Sequence, residues 1–165
     1  MAEVNVLNSI AASSMNFAKS LGSARLETEH VLYGILCLGS STASKILADL
    51  GVTKDAYKKV MFSYLKNKKV EPSLNVAISR PVSQIFAKTN QFLKKNMLKS
   101  QESEYILHFI ISNQEFRASQ ILASVFKLDL NKISPIEQID IKNNIVVVIS
   151  IKFFPPFNQY ISYNN

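Results

Sequence analysis

Two acidic residues that could bind a cation stand at matching places in the sequence. Glu29 lies in the segment TEHVL at residues 28–32, and Glu104 lies in the similar segment SEYIL at residues 103–107. A carboxylate can hold a guanidinium group through two parallel hydrogen bonds, so either glutamate could bind an arginine-bearing ligand. The alternative is structural, because a carboxylate in the first turn of a helix is favourable by about 0.3–1 kcal/mol without any ligand.

The other reactive side chains form no recognisable catalytic or metal-binding pattern. One cysteine, Cys37, and two histidines, His30 and His108, are too few for a usual structural zinc site. We find no Ser/His/Asp arrangement and no phosphate-binding GxxxxGKS/T loop. We therefore expect a protein that is not an enzyme and that uses neither a cofactor nor a metal.

The two glutamates belong to an internal repeat. The segment ASKILA at residues 43–48 returns as ASQILA at residues 118–123, at the same offset of 75 residues that separates the glutamates. One offset without gaps, serving matches across most of the unit, indicates two copies of one structural unit. We predict repeat one at about residues 3–65, a linker at 66–77 and repeat two at about 78–140.

Each repeat is predicted to form four helices. Apolar residues recur at helical spacing, and Gly22 and Gly51 fall where helices are expected to end. Thr28 and Ser103 are predicted to cap the second helix of their repeats, and Ser79 the first helix of repeat two, because a hydroxyl there accepts an unpaired amide hydrogen. The second helices are apolar almost all round and should be central. The predicted fold is all-α, with two pseudo-symmetric four-helix repeats.

Two segments depart from this plan. The fourth helix of repeat two is predicted to begin near Asp129 and to end before Asp140, and Pro135 must kink it, end it or lie in its first turn. The tail, residues 141–165, contains a β-branched run at 145–151 that is typical of a strand. Three alternatives stay open for it: packing on the domain, pairing with another chain, or disorder.

Composition and charge limit the possible partners and locations. The chain has 165 residues, 47% of them hydrophobic, and a net charge of +7, which permits salt-sensitive attraction to acidic partners. This charge makes a basic helical nucleic-acid-binding protein the alternative function, although the lysines are scattered, as on an ordinary solvated surface. Its longest apolar run is far below the ~20 residues of a membrane helix, so no membrane partner is expected. A single cysteine favours a cytoplasmic location, or an organelle stroma in a plastid-bearing source.

The segment TEHVLYGIL at residues 28–36 resembles the signature of the Clp N-terminal repeat, in which Thr-Glu-His precedes a hydrophobic residue, leucine, a variable residue, glycine and leucine. Residues 46–52, ILADLGV, are also similar to the family, and residues 103–107 repeat the first pattern in weaker form. The resemblance covers about residues 3–140 and is closest to the ClpC type. It implies a docking domain at the front of a Clp-type AAA+ unfoldase. Its partner would be an adaptor protein, a substrate polypeptide or the ATPase ring itself.

The resemblance to the ClpC type further implies a ligand. In that type, the glutamate of each repeat helps to bind phosphoarginine-marked proteins. These positions correspond to Glu29 and Glu104 here, with Thr28 and Ser103 beside them. Unfolded polypeptide segments are the other ligand class that the family implies.

The first helices of the two repeats differ from the family pattern, which opens with a threonine and an arginine that contact phosphate. Repeat one has Val4 and Val6 at these positions. Repeat two has Ser79 and Pro81, with Arg80 displaced by one position. On this basis, phosphate contacts are expected in repeat two rather than in repeat one.

Overall fold

The computed structural model describes residues 5–64, 72, 74–95, 102–133 and 135, and the backbone of residues 138–139 and 148–149. Within these residues the chain forms seven α-helices, one 3-10 helix and four two-residue strands. In chain order they are α1 (Val6–Ser20), β1 (Arg25–Leu26), α2 (Thr28–Leu36), α3 (Thr42–Asp49), α4 (Lys54–Ser63), β2 (Ala77–Ile78), α5 (Arg80–Lys95), α6 (Glu102–Ile111), α7 (Arg117–Ser124), the 3-10 helix (Leu130–Lys132), β3 (Gln138–Ile139) and β4 (Val148–Ile149). In this part of the chain, no helix combines the length and the apolar character that crossing a membrane requires.

Helix starts follow the local sequence. Four side chains that precede a helix accept a hydrogen bond from the amide three residues later, at 3.1–3.4 Å. They are Asn5 before α1, Ser41 before α3, Thr53 before α4 and Ser79 before α5. The predicted cap at Ser79 is therefore confirmed. Gly22 and Gly51 end α1 and α3 with φ angles of 65° and 85°, a region that glycine enters without steric cost.

The two repeats share hydrogen bonds at the offset found in the sequence. The hydroxyl of Ser14 donates to the Ile10 carbonyl at 2.6 Å within α1. The hydroxyl of Thr89, 75 residues later, donates to the Ile85 carbonyl at 2.8 Å within α5. All four residues are buried. The first helices of the two repeats are thus built alike, as the predicted pseudo-symmetry requires.

The two repeats interlock instead of lying side by side. The third helix of each repeat packs on the second helix of the other, so that α7 contacts α2 and α3 contacts α6. The first helix of repeat one, α1, contacts α6 as well as α2. The buried apolar side chains form one continuous cluster to which both repeats contribute, from Ile10 to Ile133. Neither repeat therefore has a separate core.

The strands β1 and β2 pair in parallel and join the two repeats beside their helices. Arg25 lies opposite Ala77, and Leu26 lies opposite Ile78. The amide of Ser79 extends this pairing by donating to the Leu26 carbonyl at 3.1 Å. Because α2 follows β1 and α5 follows β2, the pairing brings the beginnings of these two helices together. The predicted linker thus ends in a strand, and its residues 66–71 and 73 lie outside the described part of the chain.

The fourth helix of repeat two is shorter than predicted. It consists of the single 3-10 turn Leu130–Lys132, where Asp129 accepts the amide hydrogen of Asn131 at 3.1 Å. Ile133 already has an extended backbone. The physical reason is Pro135, which lacks an amide hydrogen and disfavours helical geometry in the residue before it.

The strand predicted in the tail has a partner within the chain. Val148–Ile149 pairs in antiparallel fashion with Gln138–Ile139. Among the three alternatives for this segment, the structure thus gives a hairpin-like pairing with the end of repeat two. The other residues of the tail lie outside the described part.

Gly34 allows α1 and α2 to approach closely. A Cβ atom at this position would lie 2.7 Å from the Ile10 carbonyl oxygen and would overlap the Ser14 hydroxyl. The equivalent position in repeat two holds Phe109, a partly buried residue that packs against the core. The first two helices of repeat two therefore cannot meet as closely at this point as those of repeat one.

We predict that Gly34→Ala destabilises the fold by about 1–3 kcal/mol, since the added methyl group forces α1 and α2 apart. Gly39→Ala is the matched control, because a Cβ there meets nothing within 4 Å. Its effect should stay within about 0.5 kcal/mol. Urea unfolding followed by circular dichroism measures both changes. Equal stability of the two variants would contradict the role assigned to Gly34.

Candidate functional site

The beginnings of three helices meet at one end of α2. The strand pairing places Ser79 and Arg80, at the start of α5, beside Leu26, two residues before α2. The start of α7 joins them, because the amide of Ala118 donates to the Thr28 hydroxyl at 3.4 Å. We call this region, formed by Thr28, Glu29, Ser79, Arg80 and Arg117, the Glu29 end. Repeat one supplies its carboxylate, and repeat two supplies its cations.

Thr28 does not have the role that its sequence position predicts. The N-cap of α2 is Glu27, and its amide donates to Nδ1 of His30 at 2.9 Å. Thr28 is the first helical residue, and its hydroxyl accepts a hydrogen bond from α7, in the other repeat. The predicted cap at Thr28 is therefore wrong, because the histidine performs the local capping and leaves the hydroxyl available for a long-range contact. The Nδ1 atom of His30 is thus satisfied by a backbone amide.

Glu29 is a buried acid beside an exposed cation. Its relative exposure is 5%, and its Oε1 atom lies 3.9 Å from Nε of Arg117. Its carbonyl accepts a hydrogen bond of 2.9 Å from the hydroxyl of the fully buried Tyr57. Burial raises the pKa of the Glu29 carboxyl above its usual value, and a backbone hydrogen bond and the charge of Arg117 offset part of this effect. The charged form therefore depends on a cation nearby.

Arg117 is a site residue that the sequence analysis missed. Its side chain is 61% exposed, although the Glu29 side chain beneath it is only 7% exposed. Its guanidinium carbon also lies 5.8 Å from the ring centroid of Tyr64, which follows α4. The available signal was the repeat itself, because Arg117 directly precedes the matching segment at 118–123 and its equivalent in repeat one is Thr42.

The equivalent region of repeat two, the Glu104 end, has a different environment. The helix α6 begins at Glu102, so Ser103 lies inside its first turn and the predicted cap is wrong. The Ser103 hydroxyl instead donates to Oε2 of Glu104 at 3.0 Å. Glu104 is 7% exposed, and no ion pair to it occurs among the residues that the structure describes.

Tyr105 stands where repeat one has His30, and it does not reproduce the histidine's contact. The residue is 2% exposed, and its hydroxyl finds no hydrogen-bond partner in the described part of the chain. Burial, and then the charge of Glu104, raise the pKa of Tyr105 to about 12. The hydroxyl therefore stays neutral and available next to the acid.

Ser79 and Arg80 lie beside the strand that leads into α2, in the opposite repeat. They were expected to supply phosphate contacts for repeat two, but the strand pairing places them at the start of α2, which carries Glu29. Arg80 is exposed, and Ser79 is buried as the cap of α5. In the interlocked fold, Glu29 thus lies beside the start of α7, a helix of the opposite repeat. Val6, the first residue of α1, has no charge, and Val4 lies outside the described residues.

The Glu29 end presents charges of both signs to a ligand. The buried carboxylate of Glu29 can accept a cation, and Arg117, with the helix starts around it, can accept an anion. Groups of three or more histidine, cysteine, aspartate or glutamate side chains suited to a metal do not occur among the described residues. The arrangement is therefore one for binding a charged ligand.

Comparison with known proteins gives a family and a fold. The model of the Clp repeat (R) N-terminal domain matches residues 6–125, which is most of the chain. The protein belongs to this family of Clp repeat N-terminal domains. The resemblance found in residues 28–36 is thereby confirmed. Membership places the chain among the docking domains that stand at the N-terminus of Clp-type ATPases.

Solved structures agree with the Clp repeat fold. One of the 29 matching chains comes from "preliminary structural investigations of a malarial protein secretion system". It aligns with a TM-score of 0.54 and 17% sequence identity, over 78% of this chain and 87% of that chain. At this identity, the likeness shows the fold alone. No curated protein matches the sequence.

The capping histidine predicts how stability of this Clp repeat domain depends on pH. Burial, and then the charge of Arg117, lower the pKa of His30 from 6.5 to about 4. The unfolded chain therefore binds the proton more tightly than the folded chain. The contribution of His30 is complete above pH 6.5 and is lost as the pH falls through about 4, by of order 3 kcal/mol.

His30→Gln isolates this contribution, since glutamine at this helix position can still accept the Glu27 amide but does not titrate. We expect the free energy of unfolding of the variant to fall less than that of the wild type between pH 7 and pH 4. Urea unfolding at several pH values measures the difference. Parallel pH profiles would show that His30 is not the titrating group.

Proposed function

We propose that this chain is the non-catalytic docking domain of a Clp-type AAA+ chaperone or protease system. In this role it binds an adaptor protein or a substrate polypeptide and presents it to the ATPase ring. Family membership supports the general role. The Glu29 end supports binding through charge, because a buried acid and an exposed cation lie within 3.9 Å of each other.

We further propose that the Glu29 end recognises phosphoarginine on the partner protein. The guanidinium of this ligand would pair with Glu29, and its phosphate would lie against Arg117 and the helix starts of α5 and α7. The observation that carries this proposal is the junction of Glu29, Thr28 and Arg117, contributed by both repeats. Arg80 is exposed at the start of α5 and adds positive charge to the same end.

The proposal differs from the sequence expectation in the choice of repeat. Sequence alone assigned the phosphate contacts to repeat two, because Ser79 and Arg80 belong to it. The pairing of Ser79 with Leu26 brings the start of α5 beside the start of α2, which supports the choice of the acid of repeat one. Glu29, rather than Glu104, is therefore the acid that we propose for a phosphorylated ligand.

Calorimetric titration with free phosphoarginine, and with arginine as the comparison, tests this function. Glu29→Gln removes the charge with little change in shape, and we expect it to weaken phosphoarginine binding at least roughly tenfold, because a charge-assisted hydrogen bond is lost. Asp49→Asn, at an exposed acid at the end of α3, is the matched control and should bind as the wild type does.

Two results would contradict the proposal in different ways. If the wild type does not bind phosphoarginine, the ligand assignment is wrong. The docking role would then rest on recognition of other features of the partner polypeptide. Binding that survives Glu29→Gln but is lost in Glu104→Gln would move the site to repeat two. Urea unfolding of each variant confirms that the fold is intact.

A further inference from the structure

The Glu29 end and the Glu104 end carry different charges, although they belong to equivalent parts of the sequence repeat. The offset of 75 residues relates Arg117 to Thr42 and Arg80 to Asn5. Thr42, Arg80 and Arg117 are the first residues of α3, α5 and α7. Asn5 is the N-cap of α1. The Glu29 end therefore has arginine at two positions where the Glu104 end has uncharged side chains.

Arg117 covers Glu29 without being fixed there. Its Nε atom is 3.9 Å from the carboxylate, a distance that gives one loose ion pair instead of two parallel hydrogen bonds. Its contact with the Tyr64 ring, at 5.8 Å, holds the guanidinium from another side. Since 61% of its side chain is exposed, Arg117 can move away when another group competes for either charge.

The position of Arg117 determines which ligands can bind at the Glu29 end without leaving a charge of the protein unpaired. An unmodified arginine side chain that pairs with Glu29 must displace Arg117 and then lies beside a second, unpaired cation. A guanidinium that carries an adjacent anionic group supplies Arg117 with a new partner when it takes its place at Glu29. Only the second kind of ligand keeps both protein charges paired.

We propose that Arg117 is a specificity-determining residue that restricts the Glu29 end to guanidinium groups bearing an anion. The inference rests on the proposed function and adds the group that excludes the unmodified side chain. The Glu104 end lacks this restriction, because Thr42 stands in the equivalent position. The two repeats thus discriminate differently between modified and unmodified arginine.

The Glu104 end fits a simple cation better than an anion. Glu104 is 7% exposed and has the neutral Ser103 hydroxyl as its hydrogen-bond partner. The Tyr105 hydroxyl, which is buried and has no partner among the described residues, adds no charge to this end. No cation pairs with Glu104 among the residues that the structure describes, so this part of the chain offers no group there that an incoming arginine would displace.

An exchange of the two equivalent residues tests the inference. Arg117→Thr is placed in a Glu104→Gln background, so that only the Glu29 end can bind. Thr42→Arg is placed in a Glu29→Gln background, so that only the Glu104 end can bind. Each protein is titrated calorimetrically with phosphoarginine and with arginine, and each is compared with its own background. Arg25→Thr in the Glu104→Gln background controls for the loss of one positive charge in Arg117→Thr, since Arg25 is exposed in β1.

We expect Arg117→Thr to strengthen arginine binding up to roughly fivefold, because the competing ion pair is gone. It should weaken phosphoarginine binding roughly tenfold, because the phosphate loses its cation. Thr42→Arg should weaken arginine binding at the Glu104 end by a similar factor. Arg25→Thr should leave the ratio of the two affinities unchanged.

The outcomes separate this inference from the proposed function. If phosphoarginine binds at the Glu29 end but the affinity ratio is the same with Arg117 and with threonine, the specificity role is overturned and the function stands. If the ratio changes equally in Arg25→Thr, the effect is one of net charge and the role is likewise overturned. If neither probe binds to any of the proteins, both the function and the role assigned to Arg117 are overturned.

Discussion

The structure depends on the burial of α2 and α6, the second helices of the two repeats. In α2, every residue except Tyr33 is buried, so the helix needs covering on all sides. Repeat one alone covers only part of it, and α7 of repeat two, together with α5 and α6, also packs on it. The same exchange covers α6 with α3. Because each repeat completes the environment of the other, the two form one cooperative core, and separate repeats would expose large apolar surfaces.

Burial of the whole of α2 also buries the polar groups at its start, which then need hydrogen-bond partners within the protein. Amides and hydroxyls that lose water must find partners within the protein. At the start of α2, His30 accepts a hydrogen bond from the Glu27 amide, and Thr28 accepts one from the amide of Ala118. The Tyr57 hydroxyl donates to the Glu29 carbonyl. The carboxylate of Glu29 forms an ion pair with Arg117. The proposed binding site is thus part of the junction that holds the repeats together.

The repeats have diverged most where they contact each other's helix starts and where their own helices meet. Gly34 and Phe109 set different distances between the first two helices of the repeats. Arg117 and Thr42 give the two acids different neighbours, and Tyr105 leaves a buried hydroxyl where His30 closes a cap. Divergence of this kind retains the shared core, since the apolar positions that form it are preserved at the common offset, while the polar ends become free to bind different ligands.

The sequence by itself determined the family, the all-α class and the repeat, because these follow from a local motif, helical spacing and a constant offset. It also located the cap at Ser79, which depends on residues three positions apart. Only the tertiary structure decided which residues meet across the chain. Thr28 contacts Ala118, Arg117 covers Glu29, and Ser79 pairs with Leu26 of the opposite repeat, because the interlocking of the helices is set by long-range packing. Pairs that are formed by such packing leave no spacing in the sequence from which they could be predicted.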